Sequence, residues 1–371
     1  MMNIGFPSHE VWSCGLQARV LLGLRSTLRT DDLVLGKGLV AFEETLATYV
    51  GTEYAAAVGS GSDAIYLALR ALEVKAGDEV VAPANVCVGV MESILRAGVS
   101  IHFADIDRDR YTLDACAVKK AISPRTKAVL CVHTYGLPSN MDELNAVARE
   151  SDLRVIELCG QAFGATLNGR SVGTFGDVAC FSFNPSKILG GVGDGGAVVT
   201  NSEQIAGKVR HLANHGRAYV GANAEYIGVS SRLDTFNALV LTHRLKRVNE
   251  ELRKRRRIAR YYRALLSRFK LQAEPPGYQS STQFFVIEIP QRDRVRQMLE
   301  RQGISTKIHY ALPYKMPAYH RCSLLKGMES LVVTEEVAQS IMTIPFHNRL
   351  RRREADYVAK CLSDALNMGD A

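Results

Sequence analysis

The run FSFNPSKILGGVGDGGAVV, residues 181 to 199, restricts the architecture of this chain more than any other, because it sets one lysine between an apolar strand and a glycine-rich turn. Residues Val178 to Phe183 are apolar enough for a strand buried on both faces, and Pro185 ends it. Gly190, Gly191, Gly193, Gly195 and Gly196 then leave the backbone free to pass close to a ligand before a second strand at Ala197 to Thr200. Lys187 in that place is suited to forming an imine with a carbonyl. A surface lysine in a glycine-rich loop is the plainer alternative, and the fragment by itself is compatible with both.

Around this run, strands and helices alternate. Gly36 to Tyr49 has the spacing of an amphipathic helix and Tyr54 to Val58 that of a short strand. Gly59, Ser60, Gly61 and Ser62 then open a helix, so that backbone N–H groups, hydroxyls and the helix dipole converge where a phosphate would be held. GDEVVAPANV predicts a strand ending at Pro83 and a helix to about Ala97. Further strands are expected at SIHFADI, KAVLCVHTYG and LRVIEL, with helices over 113–121 and 140–150. This order predicts an α/β class, a mostly parallel sheet covered on both faces, with ligands beyond the carboxyl ends of its strands. His133, Glu157, Leu158 and Lys187 each follow or end such a strand, which predicts one shared cleft. His133 and Glu157 are candidates there for acid or base work, and Cys87 and Cys159 for thiol chemistry. The alternatives are a satisfied strand-end histidine and inert packed thiols. From about 251 the pattern changes to a long basic helix, the strand-like TQFFVIEI, the helix RDRVRQMLERQG and a terminal helix near 353–367. The expected division is a large domain over 1–250 and a small α+β domain over 251–371, joined near Pro275 to Gly277.

Composition describes a soluble chain of enzyme size, with 371 residues, 23% charged and 47% hydrophobic. No apolar stretch approaches the ~20 residues needed to cross a bilayer, and the first residues lack a signal-peptide layout, so a cytoplasmic location is expected with no membrane partner. The eight cysteines are scattered, several within apolar strands, which suits reduced, buried thiols better than a disulfide framework or a zinc site, and no metal is expected. Lys and Arg number 46 against 38 Asp and Glu, a net charge of +8, part of it in RLKRVNEELRKRRRIARYYR at 244–263. No base-stacking aromatic motif accompanies that segment, so a solvated helix face is expected in preference to a nucleic-acid or phosphate surface.

From about Gly36 to its C-terminus the sequence resembles the DegT/DnrJ/StrS family of sugar aminotransferases. The matching stretches are SGSDAIYLAL, GDEVVAPA, HTYGLPSNMDEL, VIELCGQAFGA, GTFGDVACFSFNPSKILGGVGDGGAVVTN, NHGR, SSRLD and IHYALPYKMPAY. The resemblance implies a fold type I aminotransferase-like architecture, pyridoxal phosphate (PLP) as cofactor and a homodimer with its sites at the subunit interface. It implies that Lys187 holds the cofactor covalently, that Gly61, Ser62 and Ser182 bind its phosphate, and that Gln161 lies on the hydroxyl side of its ring. Arg217, Arg232, His309, Tyr310 and Tyr314 are expected near the substrate, and interface packing is the alternative for them. The substrate class implied is a keto sugar or cyclitol, usually nucleotide-linked, with Glu as amino donor.

Several positions depart from the family pattern, among them Val86 beside Cys87, and Phe163 where a His is often found. Leu158 stands where an Asp usually contacts the pyridine nitrogen, Cys87 where an aromatic residue usually stacks on the ring, and Ser230 where an Asn ahead of Arg232 usually reaches the phosphate from the other subunit. A carboxylate keeps that nitrogen protonated and the ring electron-withdrawing; leucine does neither. Three readings stay open from the sequence: a sugar aminotransferase, a homologue whose pocket runs other imine chemistry with or without PLP, and a non-catalytic scaffold.

Overall fold

Short apolar runs separated by helices become one eight-stranded sheet in the computed structural model, which describes residues 2–6, 14–29 and 33–367. In chain order its first seven strands are β1 (Tyr54–Val58), β2 (Glu79–Pro83), β3 (Ser100–Ala104), β4 (Thr126–Val132), β5 (Arg154–Leu158), β6 (Val178–Ser182) and β7 (Gly196–Thr200). The later chain adds β8 (Lys270–Leu271), β9 (Phe285–Glu288), β10 (Leu325–Lys326) and β11 (Ile341–Ile344). The large sheet runs β1-β7-β6-β5-β4-β2-β3-β10 and is parallel except for β7, which pairs antiparallel to both neighbours. A separate antiparallel sheet, β8-β9-β11, packs in its own apolar cluster with Tyr262, Leu299 and Leu362 of the C-terminal part.

Among the described residues nine α-helices precede β8: α1 (Cys14–Thr27), α2 (Lys37–Val50), α3 (Gly61–Ala71), α4 (Val88–Arg96), α5 (Ala115–Ala121), α6 (Met141–Glu150), α7 (Glu203–Ala213), α8 (Thr235–Leu245) and α9 (Val248–Leu265). The period-2 alternation of strand side chains decides which helices each residue meets. Ala128, Leu130 and Val132 of β4, Ile156 and Leu158 of β5, and Val178 and Cys180 of β6 share a core with α3, α4 and α7. Val129, Cys131 and Val155 point the other way, towards α5 and α6, and Ala179 and Phe181 towards α2 and α8. Both faces are therefore apolar, as a sheet covered on both sides requires.

Backbone pairing crosses the sequence division at 250/251 at several points. Ile4 bridges Ile304 in the C-terminal part, and β10 adds to the large sheet beside β3. The buried Glu79 carboxylate fixes that strand, accepting from Lys326 of β10 at 2.8 Å and from Ser123 and Thr126 next to β4. Burial alone would raise this carboxyl, but those bonds outweigh it and hold it at about 2. Two expected strands are shorter than read. β3 stops at Ala104, because Asp105 turns to accept the N–H groups of Val333 and Thr334. β4 stops at Val132, where the chain turns through His133 to Gly136.

Candidate active site

Lys187 lies on the connection between β6 and β7, beyond the carboxyl end of β6. The connection is closed at its base, Phe183 N–H donating to the Gly195 carbonyl and Gly191 N–H to the Phe183 carbonyl, both at 2.7 Å. Three side chains hold it from outside. Arg244 of α8 donates to the carbonyls of Ile188 and Gly190, and Asn237 accepts the Val192 N–H at 3.1 Å and donates to the Asp194 carbonyl at 2.8 Å. Gln283 accepts from Ile188 N–H and donates to the Ser186 carbonyl. Only glycine fits at 196, since a Cβ there would lie 2.3 Å from the Ser60 carbonyl oxygen. The lysine thus stands on a clamped loop. No carboxylate pairs with it among the described residues, and burial pulls its amine below the ordinary lysine range.

Lys187 opens into a cavity of about 380 Å³. One end collects donors. Gly61 and Ser62 are in the first turn of α3, where backbone N–H groups have no carbonyl a turn back to bond, and Ser60 caps the helix by accepting the Asp63 N–H at 3.0 Å. Ser182, from the end of β6, packs against Gly61 so closely that a Cβ on residue 61 would come within 2.6 Å of it. The Ser62 and Ser182 hydroxyls join those amides on the wall. Such a donor set without an anion of its own suits a phosphate. The residues therefore fit PLP at both points where it would be held, phosphate and aldehyde. Ile65, Val90, Val132 and Leu158 make the apolar part of the lining, and Gln161, Asn184 and Asp194 are further polar side chains on it. Leu158 reaches the cavity because strand parity turns it to the α3/α4 face. Cys87, exposed at the start of α4, stands on the rim.

A hydrogen-bonded ring closes the cavity against the small domain. Gln161 accepts the Tyr135 N–H at 2.9 Å and donates to the Tyr310 hydroxyl at 2.9 Å, while the Tyr135 hydroxyl donates to the His309 carbonyl. With its hydroxyl oxygen taken by Gln161, Tyr310 keeps its own proton to donate. His309 stacks on Phe284 with ring centroids 3.9 Å apart and shares a hydrogen bond with Thr343. Burial first, then the cations Lys307 and Lys187, push its imidazole down to about 4, so it is uncharged at neutral pH.

The sequence-predicted residues divide accordingly. Gly61, Ser62, Cys87, Leu158, Gln161, Ser182 and Lys187 all line the cavity, and His309 and Tyr310 lie beside it. His133 and Glu157 are fully buried behind it, on the opposite face of the sheet from Leu158. His133 accepts the Ser139 N–H on Nδ1, so its proton sits on Nε2 and is donated to Glu157 at 3.0 Å. Glu157 also accepts the N–H groups of Gly173, Phe175 and Gly176. Cys159 lies near this pair, buried, with its thiol pushed up by that burial. Tyr314 packs in the core against Phe103 and donates to Glu335. Ser230 and Arg232 bond each other, and Arg232 also reaches Asn214, near Arg217; none of them lines the cavity of the single chain. Tyr135, Asn237 and Arg244 were not singled out from the sequence. Tyr135 adopts a positive φ of 62° after a strand, which the adjoining Gly136 only hints at.

Residues 16–363 match the DegT/DnrJ/EryC1/StrS aminotransferase family. The chain is 36% identical over 357 residues to a UDP-N-acetyl-3-dehydro-alpha-D-glucosamine 3-aminotransferase of Acidithiobacillus ferrooxidans, covering 95% of each. The solved structure of Streptomyces venezuelae DesV, in complex with a ketimine intermediate, superposes with a TM-score of 0.90 at 34% identity, over 94% of this chain and 95% of that one. NtdA from Bacillus subtilis, with bound cofactor PMP, superposes with a TM-score of 0.88 at 26% identity, over 98% of this chain and 87% of that one.

The placement of Glu157 separates a structural from a catalytic role. Each of its oxygens accepts two donors, so Glu157→Gln sets an NH2 group against two buried N–H groups. The substitution should cost about 2–4 kcal/mol of stability in denaturant unfolding while leaving cofactor affinity within twofold. A stable variant that has lost cofactor or turnover would place Glu157 in the chemistry instead.

Proposed function

Because the chain belongs to the DegT/DnrJ/EryC1/StrS aminotransferase family, we propose that it is a PLP-dependent sugar aminotransferase of glycan or secondary-metabolite biosynthesis, acting on a nucleotide-linked keto sugar. The observation that carries this reading is the enclosed, unpaired amine of Lys187, facing a cavity whose far end gathers N–H and O–H donors. Gly61, Ser62 and Ser182 would hold the phosphate and Lys187 the aldehyde carbon, with Gln161 on the ring-hydroxyl side. When bound, the cofactor supplies an electron-accepting ring conjugated to the carbon that exchanges its amino group. The chain supplies the rest. Lys187, once freed, is an amine whose burial keeps it uncharged more readily than a surface lysine, and so able to take and return a proton. Tyr310, held beside the cavity by Gln161, keeps a hydroxyl proton to donate, and the apolar part of the wall limits water at the reacting atoms.

The altered positions set the limits of that chemistry. Among the lining residues the one carboxylate is Asp194, which accepts from Asn184 on the lysine loop. Leu158 leaves the ring nitrogen without an acceptor, which lowers the electron demand the ring can exert. That favours, as the second reading, an enzyme in which Lys187 serves an imine reaction needing less electron withdrawal, or bonds a substrate carbonyl directly.

The proposal includes a cytoplasmic homodimer. Its support is a face bearing exposed Tyr219, Val220 and Ile227 close to Arg217, whose buried Nε has no hydrogen-bond partner among the described residues, and exposed Leu21, Leu22 and Leu28 on and just after α1. A stable monomer by sedimentation at micromolar concentration would contradict it. No helix among the described residues is long and apolar enough to cross a membrane.

The test is Leu158→Asp. With PLP confirmed in both proteins, the variant should convert its cofactor to the amine form with glutamate about ten to a thousand times faster than the parent, ~1.4 kcal/mol for each factor of ten. A folded, loaded variant with no gain over an already fast parent would remove Leu158 as the limiting group.

A further inference from the structure

A wide concavity lies away from Lys187, between α9 and the segment 274–282, with a volume of about 1110 Å³. Six cations line it against two carboxylates, an excess of four in a chain whose net charge is +8. The arginines of α9 divide their work. Arg255 donates to the carbonyls of Thr282 and Gln283, Arg256 to those of Ser280 and Gly164, and Arg263 to that of Gln272, so these three fasten the far wall of the groove. Arg253, Lys254, Arg257 and Arg260 are exposed, and among the described residues none has a carboxylate partner. Arg253, Arg257 and Arg260 follow the i, i+4, i+7 spacing of one helix face, covering about 10 Å along the axis. Like charges at that spacing destabilise a helix by a few tenths of a kcal/mol each, a cost that an anion laid along the face would reverse.

We propose that this groove docks an acidic protein partner, one presenting Asp or Glu side chains at helical spacing. Carboxylates at i, i+4 and i+7 of a partner helix match the three guanidinium groups in pitch, and Arg binds carboxylate bidentately. A second copy of this chain is disfavoured, since the same groove would meet its own charge. Nucleic acid is the weaker fit: the cations follow a single line, and Tyr278 is the one aromatic ring on the lining, where single strands use successive stacking platforms. A compact phosphate is also a weaker fit, because the three guanidinium groups are spread over about 10 Å of the helix axis.

Fluorescence anisotropy with the full chain tests this, using a synthetic helical peptide with Glu at i, i+4 and i+7, a peptide of equal charge with the Glu spacing scrambled, a single-stranded oligonucleotide and inorganic tripolyphosphate. The spaced peptide should bind best at 50 mM salt and weaken as salt rises. R253E combined with R257E and R260E should lower its affinity at least tenfold, and Lys187→Ala should leave it unchanged. Equal binding to the triple variant, indifference to Glu spacing, tighter binding of the oligonucleotide or tripolyphosphate, or no binding at 50 mM salt would each overturn the proposal.

Discussion

An ammonium enclosed without a counter-charge is unfavourable, and the structure around Lys187 depends on relieving that condition. Burial moves the amine towards its uncharged form, which is the form that attacks a carbonyl. A nucleophile of this kind is useful only if it stays in one place. The loop that carries it is closed at its base and clasped by Arg244, Asn237 and Gln283, which come from α8 and from the segment leading into β9. Large domain, small domain and lysine loop are therefore joined at the same few side chains.

The sheet provides the second constraint. β5 ends with Glu157 and Leu158 side by side in sequence and on opposite faces in space. Leu158 faces the cavity with Val132, and Glu157 faces away, where with His133 it gathers the backbone N–H groups of 173–176. The apolar cavity floor and the polar anchor behind it are thus two consequences of one alternation. Gln161 then turns back over the strand end and links Tyr135 to Tyr310, so the small domain closes the cavity through hydrogen bonds from a single amide.

Much of this was legible in the sequence. The strand–proline–lysine–glycine order located Lys187, and the Ser60–Gly61–Ser62 opening located the donor cluster, because both signals are local. The alternation of elements indicated the parallel sheet. The roles of His133 and Glu157 were not legible, because their partners Ser139, Gly173, Phe175 and Gly176 become neighbours only through the fold. Strand parity would have separated Glu157 from Leu158, had it been applied to the last two residues of that strand. Tyr314 shared a motif with His309 and Tyr310, yet its ring entered the core, since the 3₁₀ turn at 313–315 points it towards Phe103. The divided duties of the arginines on α9 were likewise hidden, as composition cannot tell which guanidinium groups meet a carbonyl.

The central claim is that the Lys187 amine forms an imine with PLP in this cavity. The direct measurement is the visible spectrum of the purified protein with added PLP, followed by borohydride reduction and mass mapping of the modified peptide. The account predicts a visible band, a reduced adduct on Lys187 alone, loss of both in Lys187→Ala, and a rate of adduct formation that rises with pH to a midpoint below that of an ordinary lysine. A protein that stays colourless in excess PLP, or an adduct on another lysine, would contradict it.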